Sequence, residues 1–292
     1  MDALVKQFLT PGMWNLGLNL VVVALGVVYL AATGPWRPMS LKTVTTGQKM
    51  LFLTGLALFY ISLGSPMALI GHELFSVHML QQSILYLMMP PLLIRGIPDW
   101  MWRRGMKVQW LERFFALGQR PLLSLLLFNG LFSLYHVPQI FDALMGDELL
   151  HLLSHMVLIL TASLMWWPVV TPLQERTVLS PLRKIAYIAA AGVLLTPACA
   201  LIIFADHLLF ASYSGGDPLF PILSPRDDQQ LGGVIMKVLQ EIIYASALAH
   251  VFFQWVREER EKEEREAVPS SGKPVPSASH LHVVEGGKKE GG

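Results

Sequence analysis

The sequence predicts an all-α polytopic membrane protein: a bundle of seven transmembrane helices with a charged C-terminal tail. Of its 292 residues, 53% are hydrophobic and 15% are charged, whereas an ordinary soluble domain has about 25% charged residues. The charges are also concentrated at one end, because residues 257–292 hold seven Lys/Arg and eight Asp/Glu. This composition excludes a soluble enzyme, a nucleic-acid-binding protein and a disordered protein.

Seven stretches of the chain are predominantly apolar over the roughly 20 residues that a membrane-spanning helix needs. They lie at about residues 14–32, 50–70, 75–94, 121–140, 149–171, 184–205 and 231–255. The first is predicted to be a membrane helix and not a cleavable signal, because Asp2 and Lys6 make a poor positively charged leader. Pro90 and Pro91 lie near the end of the third stretch, where neighbouring helices can compensate for the missing N–H groups.

Two polar segments complete the predicted organisation. Residues 98–119 mix Trp and Phe with Arg and Lys, which is typical of an amphipathic helix lying on the membrane surface. This helix belongs to the predicted membrane domain, residues 1–256. Residues 257–292 begin with the run REEREKEERE, a predicted helical extension, and end in a Pro-, Ser- and Gly-rich segment. Such a segment cannot bury a core, so a largely disordered tail is expected.

The basic residues of the short loops predict the orientation. One side of the membrane carries only Lys6 and Arg226, together with nine acidic residues. The other side carries Arg37, Lys42, Lys49, Arg95, Arg103, Arg104, Lys107, Arg113, Arg120, Arg176, Arg183 and Lys184. We therefore expect the N-terminus outside and the C-terminus in the cytoplasm.

Histidines are concentrated at the predicted outer ends of the helices. Seven of the nine precede the tail, and His250 alone of these lies toward the cytoplasmic end. The other six are His72, His78, His136, His151, His155 and His207. Ionisable residues in or near membrane helices are costly and usually mark a functional site. Their placement is the strongest functional signal among the residues.

Helical spacing points to a metal site. His151 and His155 are four residues apart, so both imidazoles project from one helix face, and His78 and Gln82 repeat this spacing on another helix. Imidazole suits Cu, Zn, Fe and Ni, and thioethers select Cu(I). We therefore predict that His78, His151 and His155 bind a metal ion. Methionines that could supply sulfur are Met67, Met79, Met145 and Met156.

The same residues also have simpler structural interpretations. A histidine can hydrogen-bond between helices, which contributes about 0.6–2 kcal/mol, without binding metal. Asp227 and Asp228 open the last span, where a carboxylate can cap the helix, although they share the outer layer with the histidines. Lys237 and Glu241 lie one turn apart in that span and predict either an ion pair or a proton or substrate path.

Several motifs resemble one known family. The stretch Ser65–Pro98, SPMALIGHELFSVHMLQQSILYLMMPPLLIRGIP, resembles the signature of the polytopic CtaG-type assembly factors of caa3-type cytochrome c oxidases. Similar motifs are YHVP at 135–138, HLLSH at 151–155 followed by WWP at 166–168, and DQQLGGVIM at 228–236. The resemblance covers roughly residues 15–255. The family usually has a histidine where this chain has Gln82, and an aromatic residue where it has Lys237.

The resemblance implies that the protein assists assembly of a haem–copper oxidase in the bacterial cytoplasmic membrane, without catalytic turnover. Its cargo would be copper, as Cu(I), held by His78, His151 and His155 in an outward-facing His/Met site that still exchanges the ion. Its partners would be oxidase subunits and the lipid bilayer, with no nucleic acid. Residues expected to orient the ligands or to contact the partner are Gln82, His72, His136, His207, Asp227 and Asp228.

Two other functions remain open at this stage. A membrane haem protein for electron transfer would use His78 and His155 as axial ligands, and a Soret band would reveal it. A small-solute transporter would use Lys237 and Glu241, and ion flux in proteoliposomes would reveal that activity.

Overall fold

The computed structural model describes residues 10–215 and 223–267, and these residues form a bundle of helices without strands. The prediction of an all-α protein is therefore confirmed for this part of the chain. The helices are numbered along the chain as α1 (Leu16–Thr33), α2 (Thr46–Gly64), α3 (Pro66–Glu73), α4 (Phe75–Gly96), α5 (Asp99–Gly105), α6 (Gln109–Gly118), α7 (Pro121–Tyr135), α8 (Pro138–Met145), α9 (Glu148–Val170), α10 (Pro181–Ile203) and α11 (Pro225–Ala267).

Five of the described helices are long and apolar enough to cross a membrane, namely α1, α4, α9, α10 and α11. The pairs α2–α3 and α6–α7 qualify only as bent spans, with bends of 49° and 88°. The predicted stretch 50–70 thus contains a bend, and the helix of the predicted stretch 121–140 ends at Tyr135. Ser65 ends α2 and caps α3, whereas α7 ends just before Pro138, which occupies the first turn of α8. The seven-span count and the orientation stay predictions.

The two ends of the bundle differ in chemistry. The helices α4, α9 and α11 begin at one end, called the histidine end because His78, His151 and His155 lie there. The opposite end, called the basic end, contains the end of α4 together with α5 and α6. The consecutive helices α1 and α2 run antiparallel, since Asn15 N donates to Gly64 O at the histidine end. The last helix continues through residue 267, and the rest of the predicted tail lies outside the described residues.

The central helix α4 packs between α2, α9 and α11 and contains a π-helical turn, Ile84–Met88. This turn precedes Pro90 and Pro91. Because Pro90 has no N–H to donate to the Tyr86 carbonyl, that oxygen needs another partner. The indole Nε1 of Trp166 on α9 donates to it at 3.3 Å. The carbonyl group that Pro90 leaves without a partner in α4 is thus hydrogen-bonded by a side chain of the neighbouring helix α9.

The segment 98–119, which is predicted to lie on the membrane surface, forms two short helices, α5 and α6, and not the single helix that its composition predicted. Trp102 of α5 and Phe115 of α6 are buried against Trp167 of α9, with ring centroids 4.9 and 4.4 Å from that indole. The segment is therefore anchored to the bundle by its aromatic side chains and closes the basic end.

The helices α2 and α4 approach each other closely at Gly96, so Gly96→Ala tests the packing of these two helices. A Cβ at Gly96 would lie 2.5 Å from the backbone N of Phe52 and 2.6 Å from its Cα. Because backbone cannot rotate away, the helices must separate, and we expect a loss of about 1–3 kcal/mol and a lower Tm in detergent.

Gly130→Ala is the matched control, because a Cβ at Gly130 meets no atom of the described residues within 4 Å. Alanine favours helix by up to about 1 kcal/mol over glycine, so this variant should be neutral or slightly stabilised. Equal Tm values for the two variants would contradict the close crossing.

Candidate functional site

Four imidazoles meet where α3, α4 and α9 come together. The ring centroids of His151 and His155 are 4.5 Å apart, and that of His78 lies 5.6 Å from His151 and 6.0 Å from His155. His72 completes this imidazole cluster, 5.0 Å from His151. Exposure falls from His72, which is exposed, to His151 at 8%, His155 at 3% and His78 at 1%. The cluster therefore extends from the surface of the histidine end into the bundle.

Local sequence explains how α9 presents its two imidazoles. The helix begins where the Asp147 carboxylate accepts a hydrogen bond from Leu150 N at 2.9 Å, immediately before His151. His151 and His155 lie on the buried face of α9, which continues through Leu158. On the other side of the cluster, Leu74 separates α3 from α4, and this break lets both helices contribute an imidazole.

Two tyrosines and a glutamine hydrogen-bond with the imidazoles. The Tyr86 hydroxyl lies 2.5 Å from Nδ1 of His155. Nε2 of His78 lies 3.1 Å from the Tyr135 hydroxyl and 2.8 Å from the amide nitrogen of Gln82. The predicted proximity of Gln82 to the histidines is thus a feature of the structure, whereas the two tyrosines were not predicted.

The position of Tyr86 beside the imidazoles could have been predicted from the sequence. His78, Gln82 and Tyr86 are spaced four residues apart and so lie on one face of α4. Tyr135 had no such signal, since it lies on a different helix. A neutral imidazole carries one proton. When Nδ1 of His155 holds that proton and donates to the Tyr86 oxygen, Nε2 presents its lone pair. Tyr86 can therefore fix the tautomer that a metal ligand needs.

The cluster has polar atoms without a hydrogen-bond partner. Among the described residues, none pairs with the buried Nε2 atoms of His151 and His155 or with Oε1 of Gln82. Each buried polar atom without a hydrogen bond costs about 1–3 kcal/mol of folding stability. These nitrogen and oxygen lone pairs therefore fit a ligand that accepts electron pairs, such as a metal ion. No three His, Cys, Asp or Glu side chains of residues 10–215 and 223–267 form a ready-made metal-ligand set.

Asp228 contacts the first turn of α4, the helix that carries His78. Its carboxylate accepts hydrogen bonds from Phe75 N at 2.7 Å and from the backbone and hydroxyl of Ser76. Of the two carboxylates that could cap α11, Asp228 thus caps α4 instead. Ser224 caps α11, exchanging hydrogen bonds with the exposed Asp227. The physical reason is that the first turn of α11 packs against the first turn of α4, whose N–H groups lack partners of their own.

Among the described residues, His136 and His207 make no ring contact with the four imidazoles of the cluster. His136 is buried, with Nδ1 2.8 Å from the Phe132 carbonyl, and lies beyond the rings of Tyr135 and Phe141. His207 is exposed in the connection from α10 to α11.

The two methionines that adjoin the histidines in sequence, Met79 and Met156, pack elsewhere or are exposed. Met79 is fully buried and packs against Gly232 of α11. Met156, beside His155 in sequence, is 52% exposed on the opposite face of α9. Met67 and Met145 are half-buried. The imidazoles, and not the thioethers, therefore define this site.

An aromatic cap covers the imidazole cluster. Phe141 of α8 packs edge-on against His78 at 5.5 Å and also contacts Phe210 at 4.5 Å. The Asp142 carboxylate holds the turn at residues 211–212 through two backbone N–H groups, and the Tyr213 hydroxyl donates to Gly71 O at 2.7 Å. Burial raises the pKa of Tyr213 well above its usual value, so the hydroxyl keeps its proton. The cap leaves His72 as the exposed edge of the cluster.

Fold and site define a helical protein with several helices able to cross a membrane and a buried imidazole cluster at one end. The family model described as cytochrome c oxidase caa3 assembly factor (Caa3_CtaG) matches residues 27–258. The chain belongs to this family of oxidase assembly factors, which confirms the resemblance found in its motifs. No curated protein and no solved structure matches the chain.

Proposed function

We propose that the protein holds copper, as Cu(I), at the imidazole cluster and passes it to a subunit of a caa3-type oxidase in the bacterial cell membrane. The observation that carries this proposal is the pair of buried Nε2 atoms of His151 and His155, which have no hydrogen-bond partner within residues 10–215 and 223–267 while their rings are 4.5 Å apart. Imidazole nitrogens suit copper, and the family's role in oxidase assembly supports copper as the cargo.

An exchangeable ion needs a route to a partner. His72 supplies an exposed imidazole 5.0 Å from His151, so it can take the ion from the buried pair. His78 is engaged by Gln82 and Tyr135 and becomes a ligand only when it releases a hydrogen bond. A site with two readily available ligands binds less tightly than a closed cage, which suits delivery.

The geometry favours a single ion over the alternatives. A porphyrin between His78 and His155 would need the space next to the His151 ring, whose centroid is 5.6 and 4.5 Å from theirs. Lys237 forms an ion pair with Glu241 at 2.6 Å and donates to Thr196 of α10 at 2.9 Å. These contacts support a structural role for that pair over a transport path.

The direct test has a biochemical and a cellular arm. Full-length protein in detergent, titrated anaerobically with Cu(I) against a chromogenic chelator, should bind about one ion per chain and show no Soret band as purified. Deleting the protein from its host should lower caa3-type oxidase activity without lowering the oxidase transcript. An unchanged oxidase spectrum in the deletion strain would refute the assembly role, and failure to compete with the chelator would refute copper binding.

Tyr86→Phe should weaken Cu(I) binding about 10–100-fold, because His155 loses the hydroxyl that fixes its tautomer. The affinity is measured by chelator competition. Tyr187→Phe is the matched control, since that buried hydroxyl donates to Met165 O at 2.9 Å, away from the imidazoles. Equal losses of affinity in the two variants would show a general effect of tyrosine removal and contradict the positioning role of Tyr86.

A further inference from the structure

A polar cavity of about 390 Å³ opens at the basic end, between the end of α4, the α9–α10 connection and the helices α10 and α11. Arg95 enters it from the last turn of α4, and Lys184 from the first turn of α10. Thr171 and Thr177 add hydroxyl groups, and Glu258 is the one carboxylate of the described lining. The cavity therefore has two positive charges against one negative charge.

The two cations are only partly compensated. Arg95 and Lys184 repel each other across the cavity, and attraction between Lys184 and Glu258 offsets part of this repulsion. Within residues 10–215 and 223–267 neither cation forms an ion pair with a carboxylate. The Glu258 carboxylate instead accepts a hydrogen bond from Gln254 at 3.0 Å. By contrast, Arg103 of the same end is paired with Glu175. Two adjacent cations around a cavity favour an anionic ligand.

A second cavity, of about 290 Å³, adjoins the first and shares Arg95, Val251 and Gln254 with it. The rest of its lining is mainly apolar side chains of α4, α9 and α11, such as Leu92 and Ala247. A ligand that fills both cavities therefore needs an anionic head and an apolar chain.

We propose that the two cavities bind one anionic phospholipid, with its phosphate between Arg95 and Lys184 and an acyl chain in the apolar cavity. Basic pockets between membrane helices on the cytoplasmic side attract such headgroups, and the distribution of Lys and Arg predicts that the basic end faces the cytoplasm. The lipid would join the end of α4 to α10 and α11.

Native mass spectrometry of the full-length protein with added phosphatidylglycerol or phosphatidylcholine tests this site. We expect one tightly bound phosphatidylglycerol per chain and weaker binding of phosphatidylcholine. Arg95→Gln with Lys184→Gln should weaken phosphatidylglycerol binding about 30-fold, because each basic residue near the headgroup contributes about 1 kcal/mol. Arg104→Gln with Lys107→Gln removes the same charge from exposed positions of the same end and should leave binding unchanged. Equal losses in the two double variants would overturn the proposal.

Two further variants separate a lipid from free phosphate and from misfolding. Glu258→Gln should strengthen phosphatidylglycerol binding, a gain that a damaged fold cannot produce. Ala247→Phe narrows the apolar cavity and should weaken lipid binding while sparing any binding of inorganic phosphate. If phosphatidylcholine binds as tightly as phosphatidylglycerol, or if Ala247→Phe leaves lipid binding intact while inorganic phosphate displaces the lipid, the lipid site is refuted.

Discussion

Replacing His151 and His155 together by alanine is expected to abolish Cu(I) binding under chelator competition. The loss should exceed the roughly 10–100-fold that removal of a group supporting a ligand costs, because both available Nε2 atoms disappear. The remaining buried imidazole of the cluster, His78, is held by Gln82 and Tyr135. In a strain that relies on this variant, caa3-type oxidase activity should fall toward that of the deletion strain.

His136→Ala is the matched control for this double variant. His136 is also buried, and its Nε2 has no hydrogen-bond partner in the described part of the chain, so its removal perturbs the bundle in a comparable way. It lies beyond Tyr135 and Phe141, however, so Cu(I) affinity should not change. The proposed site would be wrong if the double variant bound copper as well as the unmodified protein, or if His136→Ala caused the same loss.

Asp228→Ala is expected to cause the largest loss of stability among polar substitutions at the histidine end. Its carboxylate is 5% exposed and accepts hydrogen bonds from Phe75 N and from the backbone and hydroxyl of Ser76. Removing this carboxylate leaves the buried N–H and hydroxyl donors of Phe75 and Ser76 without their acceptor. It also removes a negative charge from the N-terminus of α4. We expect a loss of about 2–4 kcal/mol, measured as a lower Tm of the full-length protein in detergent.

Asp227→Ala provides the comparison, because Asp227 is exposed and hydrogen-bonds only with Ser224 among the described residues. That variant should lose about 1 kcal/mol or less. Below its unfolding temperature, Asp228→Ala should still bind one Cu(I), since His151 and His155 lie on α9. Equal Tm values for the two aspartate variants would contradict the cap across helices.

The apolar length of each stretch was enough to predict α1, α4, α9, α10 and α11, because a long apolar helix is stable only where lipid or protein replaces water. The bends were not predicted from hydropathy. A window of 20 residues stays apolar whether or not the chain turns at Ser65, and the turn depends on a serine cap followed by Pro66. Similarly, the early end of α7 reflects Pro138 and not a change of composition.

The sequence by itself determined the class of protein, its family and the concentration of histidines toward one end. Helical spacing also showed that His151 and His155 share a face. Only the tertiary structure decided which faces meet, and so brought His72 and His78 to that pair while leaving His136 beyond an aromatic layer. Spacing along a helix fixes the direction of a side chain, whereas its neighbours depend on how separate helices pack.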